Sequence, residues 1–427
     1  MNQDALVHGI AAVAFVWYLA LWLISILGCV AARRRYRSRD VYTLSRAETS
    51  NSPGVSILRP LKGLDTNLYE NLESSFKQEY SNYEIIFSVA DENDQALPIV
   101  QALVSRYPRV KVTVIIGMSE IVGVNPKVNN LVRAFRAAAH DIVWVIDSGV
   151  IVDSGTLARS VEVLTRYSLS SPNKKVALVH HVPFALMDET RVGSRLEAAF
   201  LNTNHAKMYI AINTVGIESC VVGKSNLYRR SDIERLNGSL IPIQSQSVGT
   251  YEPGKYGLPT FGRFLAEDNM IAGALWHELG LRHDLSCDVA RNVVGNMSFL
   301  DYVWRRVRWI RVRKRMVLAA TLVEPFTESI MLCVIGNFGC KHLFSASSWI
   351  FIPSHFILWL SVDLDVYTSI AGHTIQRDET ASFLFAWIGR ELLAFPIWVL
   401  AFFGNDVIWR GKRYQILKSG EARLCTT

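Results

Sequence analysis

The chain has 427 residues, of which 50% are hydrophobic, and a formal net charge of +7 at pH 7. That length holds one large domain or two ordinary ones, and a mean hydropathy of +0.18 is too apolar for an ordinary soluble protein and too polar for an all-membrane one. The positive charge gathers at 33–39, 305–315 and 410–413, each beside an apolar run, which points to anionic lipid headgroups and away from nucleic acid as a partner.

Gly9 to Ala32 carries no charged residue and is long enough to cross the hydrocarbon layer. No basic residue precedes it and five arginines follow it, so an uncleaved anchor is expected, with Arg33 to Arg39 in the cytosol. Between Ser56 and Val294 short β-rich runs alternate with helical stretches, the pattern of an α/β domain with a largely parallel sheet. Strands are expected at Val55–Leu58 (closed by Pro60 and Gly63), Tyr83–Ala90, Lys111–Ile116, Asp141–Ile146 and Val176–Val182. Helices are expected at Tyr69–Phe76, Leu97–Tyr107 and Lys127–Ala139, with another running from Met270 to His277.

Tyr302 to Arg315 reads as a basic amphipathic helix at a membrane surface, with Val303, Val307 and Ile310 on one side. Apolar runs follow at Met316–Cys340, Leu343–Val362 and Ser382–Gly404. Three full spans would put the basic tail at Arg410–Arg413 in the lumen, so two spans plus a re-entrant or interfacial piece are expected, with Met316–Cys340 as that piece. Glu324, Glu328, Arg390 and Glu391 lie within these runs, where charges normally face a bundle interior. The six cysteines show neither metal spacing nor a secreted disulfide framework, which fits a reducing cytosolic face. The expected division is an anchor with its flank over 1–40, a catalytic domain over 41–300, an interfacial helix over 301–315 and a membrane region over 316–427.

Acidic residues supply the candidate chemistry. Asp91 and Asp147 close strands, and the ligand crevice of an open α/β sheet lies beyond the carboxyl ends of its strands. Asp147 followed by Ser148-Gly149 is either a ligand for a cation shared with a diphosphate or an ordinary turn. Asp91 is open to the same local reading. Glu267-Asp268 opens a helix, where an acid serves either as a cap or as a general base for an acceptor hydroxyl. Arg305 and Arg308 share a helix face and can reach one phosphate group, with Trp309 beside them. Gly223-Lys224-Ser225 is not a phosphate loop, because the upstream glycine is missing.

In combination these features are specific. Arg59-Pro60-Leu61-Lys62-Gly63, the run Val124 to Leu131, Asp147-Ser148-Gly149, Asn202-Thr203-Asn204-His205, Ala266-Glu267-Asp268 and Arg305-x-x-Arg308-Trp309 together resemble the ceramide glucosyltransferases of glycosyltransferase family 21, over nearly the whole chain. The resemblance implies a GT-A (Rossmann-like) cytosolic domain between N-terminal and C-terminal membrane helices. It implies inverting transfer of glucose from UDP-glucose to the primary hydroxyl of ceramide, at the cytosolic face of the Golgi or endoplasmic reticulum. Carried over by motif, Asp268 is the base with Glu267 beside it. Asp91, Asp147, Lys62, Lys127, Asn130, Arg305, Arg308 and Trp309 serve the donor. His205 and Trp309 serve the acceptor, and Asp147 serves the metal, Mg²⁺ or Mn²⁺. Many relatives in the wider superfamily keep Asp-x-Asp where this chain has Asp147-Ser148-Gly149, leaving one protein carboxylate for that cation. A related membrane transferase with another lipid acceptor or another UDP-sugar is the alternative, and a processive polymer synthase would need more spans.

Overall fold

A computed structural model describes residues 3–37, 52–117, 120–166, 173–187, 191–245, 256–409 and 411–425. Ser38 and Arg39 of the first basic flank, and Arg410 of the tail cluster, lie outside the described residues. The chain divides into two compact units, one of 1–38, 190–211 and 296–420, the other of 39–189, 212–295 and 421–427. The apolar unit therefore takes in residues 190–211, which the expected 41–300 domain had included.

The elements run in chain order as helix α1 (Gln3–Ala32), strand β1 (Val55–Leu61), α2 (Leu68–Phe76), β2 (Tyr83–Val89), α3 (Leu97–Arg106), β3 (Lys111–Ile116), α4 (Pro126–Ala137), β4 (Ile142–Ile146), β5 (Val150–Ile151), α5 (Thr156–Thr165) and β6 (Val176–Met187). Then come α6 (Val192–Phe200), a π-turn at Leu201–His205, α7 (Ala206–Val215), β7 (Ser225–Arg229), the short α8 (Arg230–Ile233), α9 (Glu267–His277) and β8 (Arg282–Val294). The last part holds α10 (Phe299–Met316), α11 (Leu318–Val323), α12 (Ser329–Phe344), α13 (Ser348–Ala371), α14 (Thr380–Phe402), β9 (Asp406–Trp409) and β10 (Lys412–Ile416).

In the α/β unit eight strands form one sheet in the order β3-β2-β1-β4-β7-β6-β8-β5. The first four are parallel, as the alternating pattern predicts, but β7 runs antiparallel to both β4 and β6. β6 and β8 are again parallel, so the largely parallel pattern carries antiparallel steps at β7 and at β5. Ile57, Phe87, Trp144 and Val179 are fully buried in its core, as expected of strands covered on both faces. Strand β1 also runs past Leu58, and Pro60 lies inside it. Its pairing with β4 ends at Leu58 while its pairing with β2 continues to Leu61, so the missing Pro60 N–H breaks no ladder on the β4 side.

In the other unit, three helices among the described residues are long and apolar enough to cross a membrane: Gln3–Arg37, Ser348–Ala371 and Thr380–Phe402. Leu318–Thr327 and Ser329–Phe344 qualify as a pair but are bent by 71° at Glu328, within the stretch whose charges argued against a simple span. Those charges pair inside the unit: Arg390 Nη1 donates to Glu328 Oε2 at 3.1 Å, and Arg390 also pairs with Glu391. Helix α10 starts at Ser298, whose Oγ accepts from Asp301 N while Asp301 Oδ2 accepts from Ser298 N, a reciprocal cap. Val307 and Ile310 on this helix pack against Leu196, Ile397 and Ala401.

Candidate active site

The carboxyl ends of β2, β1 and β4 carry Asp91, Lys62 and Asp147 respectively. Arg59, fully buried in β1, holds the turn after β4 in place. Its Nη1 donates to the carbonyls of Asp147 (2.7 Å) and Val150 (3.0 Å), its Nη2 to Asn71 O (2.8 Å) and its Nε to Ser75 Oγ (2.9 Å). Burial pushes the Arg59 guanidinium down to about 9, against the pull of the Asp147 charge, so it stays protonated at neutral pH.

Helix α4 brings the second group of residues. Asn125 caps it, Oδ1 accepting from Lys127 N (2.8 Å) and Val128 N (3.3 Å), with Pro126 at the first helical position. The same amide donates to Phe264 O and Glu267 Oε2, both at 2.8 Å, tying α4 to the start of α9. The two backbones touch: a Cβ on Gly123 would lie 2.3 Å from the Gly262 carbonyl carbon.

The side chains then meet. Lys127 Nζ lies 2.8 Å from Asp147 Oδ1, 2.9 Å from Glu267 Oε1 and 3.3 Å from Gly223 O. Lys224 Nζ lies 3.2 Å from the other Asp147 oxygen, Oδ2. Asp268 closes the group, near enough to Gly223 that a Cβ there would sit 2.3 Å from Asp268 Oδ2. Burial works against charge on Lys127, but Asp147, Glu267 and Asp268 outweigh it and hold the ammonium well above the usual lysine value. Burial likewise works against the Asp147 carboxylate, yet Lys127 and Lys224 keep it below the usual range. Asp268 goes the other way: burial and the adjacent Glu267 charge push it up to about 6, with Lys127 opposing. One cluster thus holds a carboxylate fixed in its ionised form beside another poised near neutrality, the division of labour that acid–base sites use.

Among the described residues no group of three or more His, Cys, Asp or Glu is placed to hold a metal ion. Asp147 has the hard-oxygen chemistry of a divalent cation that keeps waters and shares diphosphate oxygens, and two ammonium groups already gather at its half-buried carboxylate.

The other sequence candidates are placed as follows. Asp91 is exposed and its Oδ1 accepts from Asn93 N at 2.9 Å, a local turn. Lys62 is exposed. Asn130 is buried, donating to Leu61 O (3.1 Å) and Ser88 O (2.9 Å), so it ties the ends of β1 and β2 together. In the apolar unit, Arg305 Nε donates to the fully buried Glu197 at 2.8 Å, and the Arg305 guanidinium lies 5.1 Å from the Trp309 ring centre. Arg308 is half-buried on the same helix. His205 stacks on Tyr209 (5.5 Å between centres), and burial, with Arg306 and Arg313 nearby, pushes its imidazole down to about 3, so it is neutral.

Sequence reasoning missed Arg59, Asn125 and Lys224. The first two lie within quoted motifs, where an arginine inside a buried strand and an asparagine before Pro126 were available signals. Lys224 lies in Gly223-Lys224-Ser225, which is no phosphate loop, and it joins the cluster because β7 pairs antiparallel with β4, which puts Ser225 opposite Ile146.

The profile described as Glycosyl transferase family 21 matches residues 20–244 and 254–422. A ceramide glucosyltransferase of Komagataella phaffii is 35% identical, covering 95% of this chain and 90% of its own. One of Candida albicans is 32% identical, covering 94% and 95%. Among solved structures, a mannosyltransferase from Pyrobaculum calidifontis in complex with GDP-Man and Mn²⁺ aligns over 92% of this chain and 99% of its own, at 16% identity and a TM-score of 0.45. With a family match over most of its length and relatives that align nearly end to end, the chain is a glycosyltransferase and belongs to glycosyl transferase family 21.

Proposed function

We propose that this enzyme transfers glucose from UDP-glucose to the primary hydroxyl of ceramide with inversion, at the cytosolic face of a Golgi or endoplasmic reticulum membrane. The observation that carries the reading is the cluster in which Asp268, raised to about 6, stands beside Asp147, whose carboxylate two lysines hold ionised. The names of the relatives that match nearly end to end support the sugar and the acceptor. Basic residues flanking α1 support the cytosolic orientation.

Asp268 takes the proton of the acceptor hydroxyl, whose oxygen attacks the anomeric carbon on the face opposite the nucleotide. The C–O bond to the diphosphate breaks and its electron pair leaves with UDP. Lys127 offsets the charge that builds on the departing diphosphate. Glu267 anchors Lys127 and keeps the Asp268 proton affinity high. Asp147 would hold a divalent cation, which when bound supplies further Lewis-acid stabilisation of the leaving group. The motif match assigns Asp91 and Lys62 to the donor, Arg305 and Arg308 to the diphosphate, and His205 and Trp309 to the acceptor, while Asn130 positions the β1 and β2 ends.

The test is the purified full chain in lipid nanodiscs with a panel of UDP-sugars and lipid acceptors, with and without chelator. Glucose should pass from UDP-glucose to ceramide as a β-glycoside, and Asp268→Asn should abolish that turnover while still binding UDP-glucose. Transfer to some other lipid or from some other sugar nucleotide, with ceramide and UDP-glucose inert, overturns the reading.

A further inference from the structure

We infer that Lys224 is a second cation for the nucleotide diphosphate, acting with Lys127 from the opposite side of Asp147. The inference deepens the donor chemistry proposed above and rests on it.

The backbone fixes the position of Lys224. Asp147 N donates to Lys224 O at 3.0 Å, and Lys224 N donates to Val222 O at 3.0 Å, forming a tight turn directly ahead of β7. Because β7 pairs with β4 in antiparallel register, residue 224 stands opposite residue 147 where both strands end. From there its Nζ reaches Asp147 Oδ2, while Lys127 Nζ reaches Oδ1. The two ammonium groups flank one carboxylate, and each side chain keeps about a fifth of its surface open, 20% for Lys224 and 19% for Lys127.

Asp147 does not need both. Lys127 alone satisfies one of its oxygens and also pairs with Glu267. The cluster holds three carboxylates, Asp147, Glu267 and Asp268, and a diphosphate adds more negative charge to it. Asp147-Ser148-Gly149 offers a single carboxylate at this turn, so the chain's own ammonium groups are placed to meet the charge of the leaving group. Lys224, partly open to solvent and paired with Asp147, meets that need as a compact point charge. When the anomeric C–O bond breaks, Lys224 keeps its proton and bonds to the diphosphate oxygens of the departing UDP.

The experiment measures UDP binding to the full-length protein by calorimetry, beside KM and kcat for UDP-glucose. Lys224→Met should weaken UDP binding and raise KM by roughly 10- to 100-fold, the range for losing one hydrogen bond to a charged group. Lys224→Arg should recover most of that loss, and the melting temperature of both variants should stay near that of the parent. A Lys224→Met protein that binds UDP as the parent does, with unchanged KM, would mean that Lys224 only neutralises Asp147. Should the methionine variant fail to fold, acetylation footprinting of the unsubstituted protein decides: UDP must shield Lys224 from acetylation, and equal labelling with and without UDP overturns the inference. UDP binding is read without any acceptor, so a wrong ceramide assignment leaves this result unaffected. Failure of the unsubstituted protein to bind UDP would sink the donor assignment and this inference together.

Discussion

Gly223 and Asp268 touch so closely that a Cβ on the glycine would sit 2.3 Å from Asp268 Oδ2 and 2.7 Å from Asp268 Cγ. The glycine is thus there for space, and it lets the proposed base lie against the turn that leads into β7. Gly223→Ala should displace the Asp268 carboxylate by about an ångström and reduce kcat by roughly 100-fold. UDP binding should change far less. Steady-state assays beside calorimetry check this, and a fully active alanine variant would remove Asp268 from its proposed role.

Asp268 also sets the acid limb of the pH profile. A base must be ionised to work, and its proton affinity is raised to about 6 by burial and by Glu267. Below pH 6, kcat/KM should fall about tenfold per pH unit, and it should level off above that value. Glu267→Gln removes a negative neighbour and releases Lys127 toward Asp268; both effects lower the affinity of Asp268 for its proton. The acid limb should therefore move to lower pH in that variant, whatever happens to the plateau rate. A limb that stays put or moves up would contradict the electrostatic pairing of the two acids.

Arg59 is the structural partner of the site. It donates to three carbonyls, those of Asn71, Asp147 and Val150, and to the Ser75 hydroxyl, all in the interior of the α/β unit. Arg59→Met takes a donor from each of these acceptors; Asn71 O keeps Ser74 Oγ and Asp147 O keeps Val150 N, and any group left with no partner costs about 1–3 kcal/mol. The variant should melt several degrees lower and lose activity even in its folded fraction, because the turn carrying Asp147 loses its anchor. Arg59→Lys keeps the charge but cannot span the same carbonyls, so it should recover only part of the stability. Thermal melting of the full chain in detergent, with activity normalised to folded protein, separates the two effects.

The acids were legible in the sequence because each ends or begins a short element: Asp147 closes an unbroken run of apolar residues, and Glu267-Asp268 opens a helix. β2, β3 and β4 were legible for the same reason, as β-rich runs bounded by turn residues. Strands β7 and β8 were not foreseen. β8 is mostly buried but carries Asp284 and the fully buried Asp288 in its interior and half-buried Arg282 and Arg291, so no apolar run marks it, and its place in the sheet comes from long-range pairing with β6 and β5. β6 was expected to stop at Val182, before Pro183. It continues to Met187 because its pairing with β7 is confined to Leu178–His180, and beyond that only β8 runs alongside. Sequence periodicity reports burial and local chain direction, whereas the meeting of Lys127, Lys224 and three acids depends on which strands neighbour one another. That is why the roles of Lys224 and Arg59 emerged only in three dimensions.

The apolar unit contains its own buried ion pair, between Lys207 and Asp363. Lys207 Nζ lies 2.8 Å from Asp363 Oδ1, both side chains are fully buried, and the ammonium sits 3.7 Å from the centre of the Trp359 ring. Trp387 Nε1 donates to the other carboxylate oxygen at 2.8 Å. Removing one partner of such a pair strands a charge in an apolar surrounding and costs about 3–5 kcal/mol, whereas replacing both with apolar groups is far milder. Lys207→Met should therefore reduce the yield and heat resistance of the protein in detergent sharply. Lys207→Met combined with Asp363→Leu should regain much of that loss, short of full recovery because Trp387 N–H loses its acceptor. The comparison is the fraction of folded protein surviving graded heating, read by size-exclusion chromatography. A double variant as fragile as the single would show that the pair contributes through its detailed geometry and not through charge compensation.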